Sequence, residues 1–168
     1  MSNGKGLGIL ALLIGISGLG LGVYTIVFPQ VRVVDTNFGI QNTWFKYDPT
    51  TYPTNPVGTD ILINALTINF TVHSGEYVYF LFNTYALVTG GAPPIIQFNF
   101  VLDGVKKGPP AYPEVVFGSD GPAQYGSVTL QIVKVISAGF HNLTVTIMST
   151  FTSNGIKDST LLVQTFIP

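Results

Sequence analysis

The two histidines, His73 and His141, are the residues in this sequence best suited to acid–base or metal chemistry. Each lies close to a glycine that signals a turn, at the end of a predicted strand. A zinc site needs three or four ligands, and no G-x-S-x-G turn is present to hold a serine nucleophile beside a histidine. We therefore interpret both histidines as exposed side chains at strand ends and expect no enzymatic activity.

The acidic residues are scattered along the chain and form no evident pair. Asp103 and Asp120 each precede a glycine, so turn chemistry accounts for both. Glu114 is too far from Asp103 in sequence to predict a carboxylate dyad. Calcium bound by loop carboxylates such as Asp48, Asp60 and Asp120 stays open as an alternative. Our expectation is that the protein binds no cofactor and no metal.

Four aromatic residues lie in or beside proline-rich loops and are the candidates for contact with a ligand or partner: Trp44, Tyr47, Tyr52 and Tyr112. Aromatic side chains on loops stack on sugar rings or anchor a protein partner. The same side chains can instead cover an edge of the core or form a contact between subunits. The sequence leaves both interpretations open.

Two N-glycosylation sequons, Asn69-Phe70-Thr71 and Asn142-Leu143-Thr144, fall on predicted strands. A chain this rich in Asn, Ser and Thr is expected to contain such sequons by chance. Both asparagines lie on the predicted outward face of their strands. Glycosylation at Asn69 and Asn142 is therefore sterically allowed if the domain is exported.

Composition narrows the class of protein. Charged residues make up 9% of the 168 residues, against about 25% in a typical globular protein. The net charge of −1 and the lack of a basic patch argue against a nucleic-acid partner. The absence of cysteine excludes disulfides, thiolate zinc sites and a cysteine nucleophile.

Residues 7–28 contain no charged residue and follow shortly after Lys5. As a helix this segment would extend about 33 Å, enough to cross a ~30 Å hydrocarbon core. We therefore assign residues 1–30 to an N-terminal tail and a transmembrane helix. Close packing of small residues drives helices together in lipid. Small residues recur here at steps of three and four, which predicts a stripe for helix association: Gly8, Ala11, Gly15, Gly18 and Gly22.

The same segment has two alternative interpretations. A cleaved secretory signal is disfavoured, because the apolar run exceeds the usual ~7–15 residues and no A-x-A-like site follows it. The short leader before Leu7 resembles that of archaeal type IV pilin precursors, which are cut just before the hydrophobic helix. The positive charges on the two sides of the helix nearly balance. We place residues 31–168 outside the cell, because a short tail precedes the helix and a whole domain follows it.

Patterns typical of β-strands occupy the rest of the chain. Apolar and polar residues alternate over residues 66–73, and residues 77–88 are apolar on both faces. Residues 95–102 alternate again and run into the hairpin signal Asp103-Gly104. The other predicted strands are residues 31–34, 43–47, 105–107, 114–117, 127–136, 140–151 and 160–167, with a polar turn at 152–158. Eight to ten strands with frequent turns predict an all-β, antiparallel jelly roll or β-sandwich.

Three segments of the second half resemble the C1q/TNF-like jelly-roll domain. Residues 70–80 (FTVHSGEYVYF) resemble the strand pair of that family, and residues 98–104 (FNFVLDG) resemble its hairpin. Residues 137–145 (SAGFHNLTV) resemble its entry into a late strand. The likeness spans about residues 66–167. It implies trimers and a binding or structural role, with no catalytic residues.

These observations predict a non-enzymatic, membrane-anchored cell-surface protein that self-assembles and presents a jelly-roll domain outside the cell. Its expected partners are membrane lipid, further copies of itself and a glycan or protein ligand; a trimer is favoured and a filament is the alternative. A different function within the same architecture is an archaeal pilin-like filament subunit with the helix as fibre core. A third is a carbohydrate-binding surface module.

Overall fold

A computed structural model describes residues 39–89, 94–119 and 121–168. The predicted membrane helix and the predicted strand at residues 31–34 lie outside the described residues, as do Gly8, Ala11, Gly15, Gly18 and Gly22. None of the helical structure in the described residues is long and apolar enough to cross a bilayer.

Eleven strands and one short 3₁₀ turn (Asn64–Leu66) make up the regular structure of the described residues. The strands are β1 (Gly39–Asp48), β2 (Tyr52–Pro53), β3 (Ile61–Leu62), β4 (Ile68–Val72), β5 (Tyr77–Val88), β6 (Ile95–Leu102), β7 (Val105–Lys106), β8 (Glu114–Gly118), β9 (Gln124–Lys134), β10 (Gly139–Ser149) and β11 (Gly155–Ile167).

Two antiparallel sheets contain these strands. Sheet I has the order β1-β11-β5-β9, and the short β2 also pairs with β11. Sheet II is built around β10 and β6; β3 and β4 pair with the free side of β10, and β7 and β8 pair with the free side of β6. The prediction of an all-β, antiparallel sandwich is confirmed for the described part of the chain.

The pairing follows a nested pattern along the chain. β1 pairs with β11, β4 with β10, β5 with β9 and β6 with β8, as in one long hairpin folded at β6–β8. Two further pairings, β11 with β5 and β10 with β6, roll this hairpin into two sheets. Between β6 and β7, where this long hairpin reverses direction, Asp103 and Gly104 take φ values of 53° and 74°. These are the left-handed conformations that a two-residue hairpin turn requires.

Period-2 alternation places one face of each sheet in a common core. Phenylalanines from both sheets meet there: the ring centroids of Phe80 and Phe100 are 5.7 Å apart, and those of Phe82 and Phe98 are 6.0 Å apart. Phe70 of β4 lies 5.9 Å from Phe80. All five side chains are at most 2% exposed, so these aromatic contacts join the two sheets.

The strands predicted from the sequence agree best with the structure where apolar residues form a clear pattern. β5 begins and ends where predicted, and the inward face predicted for residues 66–72 is buried. The polar turn predicted at residues 152–158 is wrong in its second half, because β11 already begins at Gly155. A bulge between Lys157 and Thr160 absorbs the polar residues, while Ile156 pairs with β2 and β5 and is buried.

Replacing Phe70 by Ala should cost about 3–5 kcal/mol of unfolding free energy, because the cavity would lie between the two sheets. Phe140 is the matched control: it lies on the neighbouring β10 but is 70% exposed, so Phe140→Ala should change stability by about 0.5 kcal/mol or less. Urea unfolding of both variants measures the difference. Should Phe70→Ala not fold, Phe70→Leu serves with a smaller loss; equal stabilities at positions 70 and 140 would contradict the register.

Candidate functional site

Three of the four aromatic residues considered as ligand contacts pack against the core. Trp44 lies with its ring centroid 5.9 Å from that of Phe70, and Tyr52 and Tyr112 are partly buried against the same cluster. Tyr47 differs from them because it points outward from β1 and is 55% exposed. The structure therefore does not bring the four rings together into one site.

Hydrogen bonds to acidic groups hold the tyrosines near the β1–β2 loop. The hydroxyl of Tyr52 donates to Asp48; burial, together with this carboxylate, raises the pKa of Tyr52 to about 12. Hydrogen bonds from Thr50 and Tyr52 lower the pKa of the Asp48 carboxyl. Tyr47 donates to Asp158 over 3.1 Å. These contacts tie the loop to the sandwich and involve no group placed for catalysis.

The two histidines have different environments. His73 is exposed, as expected, and its backbone N–H donates to the buried Glu76 carboxylate over 2.8 Å. His141 is only 8% exposed, so the prediction of an exposed histidine is wrong there. The reason is long-range: Asp103, from the β6–β7 turn, lies over the start of β10. The Phe70 ring lies 5.7 Å from the imidazole of His141.

Both ring nitrogens of His141 face acceptors. Nδ1 lies 2.8 Å from the Asp103 carboxylate and Nε2 lies 2.9 Å from the Ser137 carbonyl oxygen. Neither a carboxylate nor a carbonyl can donate, so this geometry favours the doubly protonated imidazolium. Burial alone would lower the pKa of His141, but the hydrogen bonds to Asp103 and Ser137 outweigh it and raise the pKa.

The pKa of the Asp103 carboxyl shifts in the opposite direction to that of His141. Burial opposes its ionisation, but hydrogen bonds from His141 and from the Asn142 backbone, with the charge of Lys107, lower the pKa of Asp103 overall. The pair joins the β6–β7 turn to the start of β10, at one end of the β6–β10 ladder. No group of three or more His, Cys, Asp or Glu that could hold a metal occurs among the described residues.

The outer face of sheet I is the most distinctive surface of the domain. The register aligns Phe45, Leu162 and Leu81 side by side across β1, β11 and β5, and side chains opposite each other in a sheet lie on the same face. Other apolar and aromatic side chains with the same outward phase surround this row: Ile40, Tyr47, Tyr77, Tyr79, Tyr85, Leu87, Tyr125, Val133 and Phe166.

Charge is confined to one end of this face. Lys157 and Asp158 lie together at the bulge of β11, with Nζ 3.8 Å from Oδ2. The Lys157 ammonium also lies 5.5 Å from the centre of the Tyr85 ring, which stacks on Tyr125 at 6.0 Å. Uncharged polar side chains share the face with these apolar ones: Thr43, Asn83, Ser127, Thr129, Gln131, Thr160 and Gln164. A sheet face that combines exposed aromatic side chains with uncharged polar ones is compatible with binding another protein.

The sequence contained a partial signal for this face. Residues 77–88 are apolar on both faces of the predicted strand, which indicates a strand with both faces packed against other groups. In the folded domain the second side carries Tyr77 and Tyr85, which are 36% and 37% exposed. Phe45 and Tyr47 of β1 were recognised only as parts of a short strand and a loop. Their contribution to the same face depends on the pairing of β1 with β11, which no local pattern reveals.

The two sequon asparagines are cross-strand neighbours. Asn69 on β4 pairs directly with Asn142 on β10, and both point away from the core. Asn69 is exposed and Asn142 is half-buried. The predicted outward orientation of both side chains therefore agrees with the sheet register.

No protein-family model matches the chain, and no curated protein matches it. Among solved structures, one that is similar to it is the crystal structure of dimeric latent PorU from Porphyromonas gingivalis. The sequence identity is 7% and the TM-score is 0.43; the match covers 80% of this chain and 14% of that one. This chain thus spans a small part of the length of PorU, and a likeness this distant says nothing about function.

The His141–Asp103 pair predicts how stability depends on pH. The raised pKa of His141 adds stability that is present below about pH 6.5 and is lost as pH rises through the folded-state value. The lowered pKa of Asp103 adds stability that is lost only as pH falls below about 3.8. The melting temperature should therefore fall as pH rises from 6 to 9.

Asp103→Asn is the matched control for this prediction. Asn tolerates the left-handed backbone at this position but removes the charge that favours the imidazolium of His141. Thermal melts at several pH values should show a flatter profile for Asp103→Asn than for the unmodified chain. Parallel profiles for the two proteins would contradict the assignment.

Proposed function

We propose that this protein is a non-enzymatic, membrane-anchored surface protein that self-assembles through its β-sandwich and its N-terminal helix. The observation that carries the proposal is the outer face of sheet I, which is broad, rich in exposed aromatic and aliphatic side chains, and almost free of charge. The domain is a jelly roll of the C1q/TNF-like kind, held outside the cell by residues 7–28. Its role is to build and display an oligomeric surface.

The strand connectivity supports the jelly-roll assignment. Eight of the strands are five residues or longer, and they divide into four in each sheet. The nested pairing of β1–β11, β4–β10, β5–β9 and β6–β8 is what results when one long hairpin is rolled up into two sheets. Jelly rolls are eight-stranded, double-sheet folds of this type.

The size and chemistry of the outer face favour a second copy of the chain as its occupant. Four strands of about ten residues cover roughly 650 Å² of sheet, and a standard interface buries about 800 Å² per partner. Phe45 is 61% exposed and Tyr125 is 59% exposed in the single chain. The face lacks the charged groups that would select a partner of opposite charge, so self-association is the simplest way to remove it from water.

Charge introduced on this face should dissociate the assembly. Phe45→Lys combined with Leu81→Lys places two ammonium groups in the proposed interface, where unpaired burial is costly. In mild detergent, we expect the concentration at which half of the oligomers have dissociated to be about tenfold higher, or more, for this variant than for the unmodified chain. Mass photometry over a dilution series measures this.

A matched double variant places the same charges on sheet II. Thr71→Lys with Val116→Lys alters two exposed side chains of β4 and β8 and should leave assembly unchanged. Circular dichroism melts verify that both variants are folded. Dissociation of the sheet II variant alone, or of neither variant, would refute an interface on the outer face of sheet I.

The small-residue stripe of the N-terminal helix should contribute separately. Gly15→Leu with Gly18→Leu blocks close approach of helix backbones and should reduce assembly without changing the melting temperature of the sandwich. Leu13→Ile with Ile16→Leu, on the opposite side of the predicted helix, is the control. An oligomer of unchanged size and dilution behaviour in the glycine variant would eliminate the helix stripe as an assembly element.

A further inference from the structure

A cleft of about 320 Å³ lies on the outer face of sheet II, on the side of the sandwich away from the proposed interface. Its floor is formed by Val101 of β6 with Thr144 and Thr146 of β10. One wall is the segment from Asp60 to Thr67, and the other is the hairpin at Gly104. We call this depression the sheet II cleft.

Backbone pairing and one ion pair hold the walls in place. Ile61 and Leu62 pair with β10, and the Ile63 amide donates to the Val145 carbonyl over 3.0 Å. On the opposite side, the Lys106 ammonium contacts the Asp60 carboxylate at 2.7 Å. The cleft is therefore formed before any ligand arrives, which lowers the cost of binding.

The polar groups on the floor of the cleft already form hydrogen bonds within the protein. The Thr144 hydroxyl donates to the Ile63 carbonyl over 2.9 Å, and the Thr146 hydroxyl donates to the Ile61 carbonyl over 3.2 Å. The backbone groups of β6 and β10 are paired with each other along the floor. An extended peptide, which binds by adding a strand to a free sheet edge, finds no such edge here.

Three polar side chains around the cleft are free to bind a ligand. Within the described residues, the Asn64 amide, the Thr67 hydroxyl and the Asn142 amide make no hydrogen bond to another protein group. Each amide offers two donor hydrogens and one acceptor oxygen, and the hydroxyl both donates and accepts. Such a set matches a ligand whose own groups donate and accept at several neighbouring positions.

The charges in the cleft exclude most other ligands. Lys106 and Asp60 neutralise each other, so the cleft selects neither an anion nor a cation. Asp60 is the single carboxylate among the lining residues, too few for a divalent ion. The volume is at the small end of ligand clefts, which span roughly 300–1,000 Å³.

We propose that the sheet II cleft binds a neutral saccharide of one or two rings. Asn64 and Asn142 hold adjacent sugar hydroxyls from opposite sides, Thr67 contacts a third hydroxyl, and Val101 and Leu62 lie against the apolar C–H face of the ring. The two sheets are opposite layers of the sandwich, so assembly through sheet I leaves this cleft open. Because the Asn142 amide lines the cleft, an N-linked glycan on that residue would occupy the same space.

The test uses the full chain, produced in a bacterial host without N-glycosylation and kept in a detergent without a sugar headgroup. Saturation-transfer NMR is recorded with the methyl glycosides of glucose, galactose, mannose and N-acetylglucosamine, and with lactose. At least one probe should bind. Asn142→Ala and Asn64→Ala should each weaken its affinity about tenfold, the effect of losing a hydrogen-bonding partner.

Asn69→Ala is the matched control, because Asn69 pairs with Asn142 across the strands but does not line the cleft. It should leave binding unchanged. Asn64 lies in an exposed turn, so its substitution tests the cleft even if Asn142→Ala fails to fold. Absence of saturation transfer from all five probes, equal loss in the Asn69 variant, or binding of a tri-alanine peptide in place of the sugars would each overturn the proposal.

Discussion

The contact between β5 and β6 holds the sandwich together, and most of the surface chemistry follows from it. Phe80 and Phe82 of β5 meet Phe100 and Phe98 of β6 at centroid distances near 6 Å. Side chains alternate along a strand. Because Phe80 and Phe82 point into the core, Leu81 and the other odd-numbered residues of β5 point outward. A strand that supplies the core with one face therefore carries the proposed assembly interface on the other.

The low charge of the chain is consistent with this division of surfaces. The outer face of sheet I carries aromatic and aliphatic side chains among uncharged polar ones and confines charge to the β11 bulge, whereas Asn and Thr side chains of sheet II surround a cleft. Each sheet thus has a second, outward-facing set of residues with its own chemistry. The proposed assembly and the proposed ligand binding can coexist because they use opposite layers of one sandwich.

The structural features that could be predicted from the sequence are those determined by local residue patterns. Alternation located the core faces of β4 and β6 and both limits of β5, and the Asp103-Gly104 signal located the β6–β7 hairpin. Features that depend on distant partners were missed. His141 is buried because Asp103, 38 residues away, lies over it, and Thr144 and Thr146 are covered by residues 60–67 although their strand phase points outward. The early start of β11 likewise depends on its pairing with β2 and β5.

In the proposed assembly, the outer face of sheet I is buried between copies of the chain. An electron cryomicroscopy reconstruction of the 168-residue chain, extracted in detergent, tests this burial directly. We predict a particle of several copies in which Phe45, Leu81 and Leu162 contact a neighbouring sandwich while the sheet II cleft stays open to solvent. A particle with a single sandwich, or an assembly in which the outer face of sheet I is turned to solvent, would contradict the account.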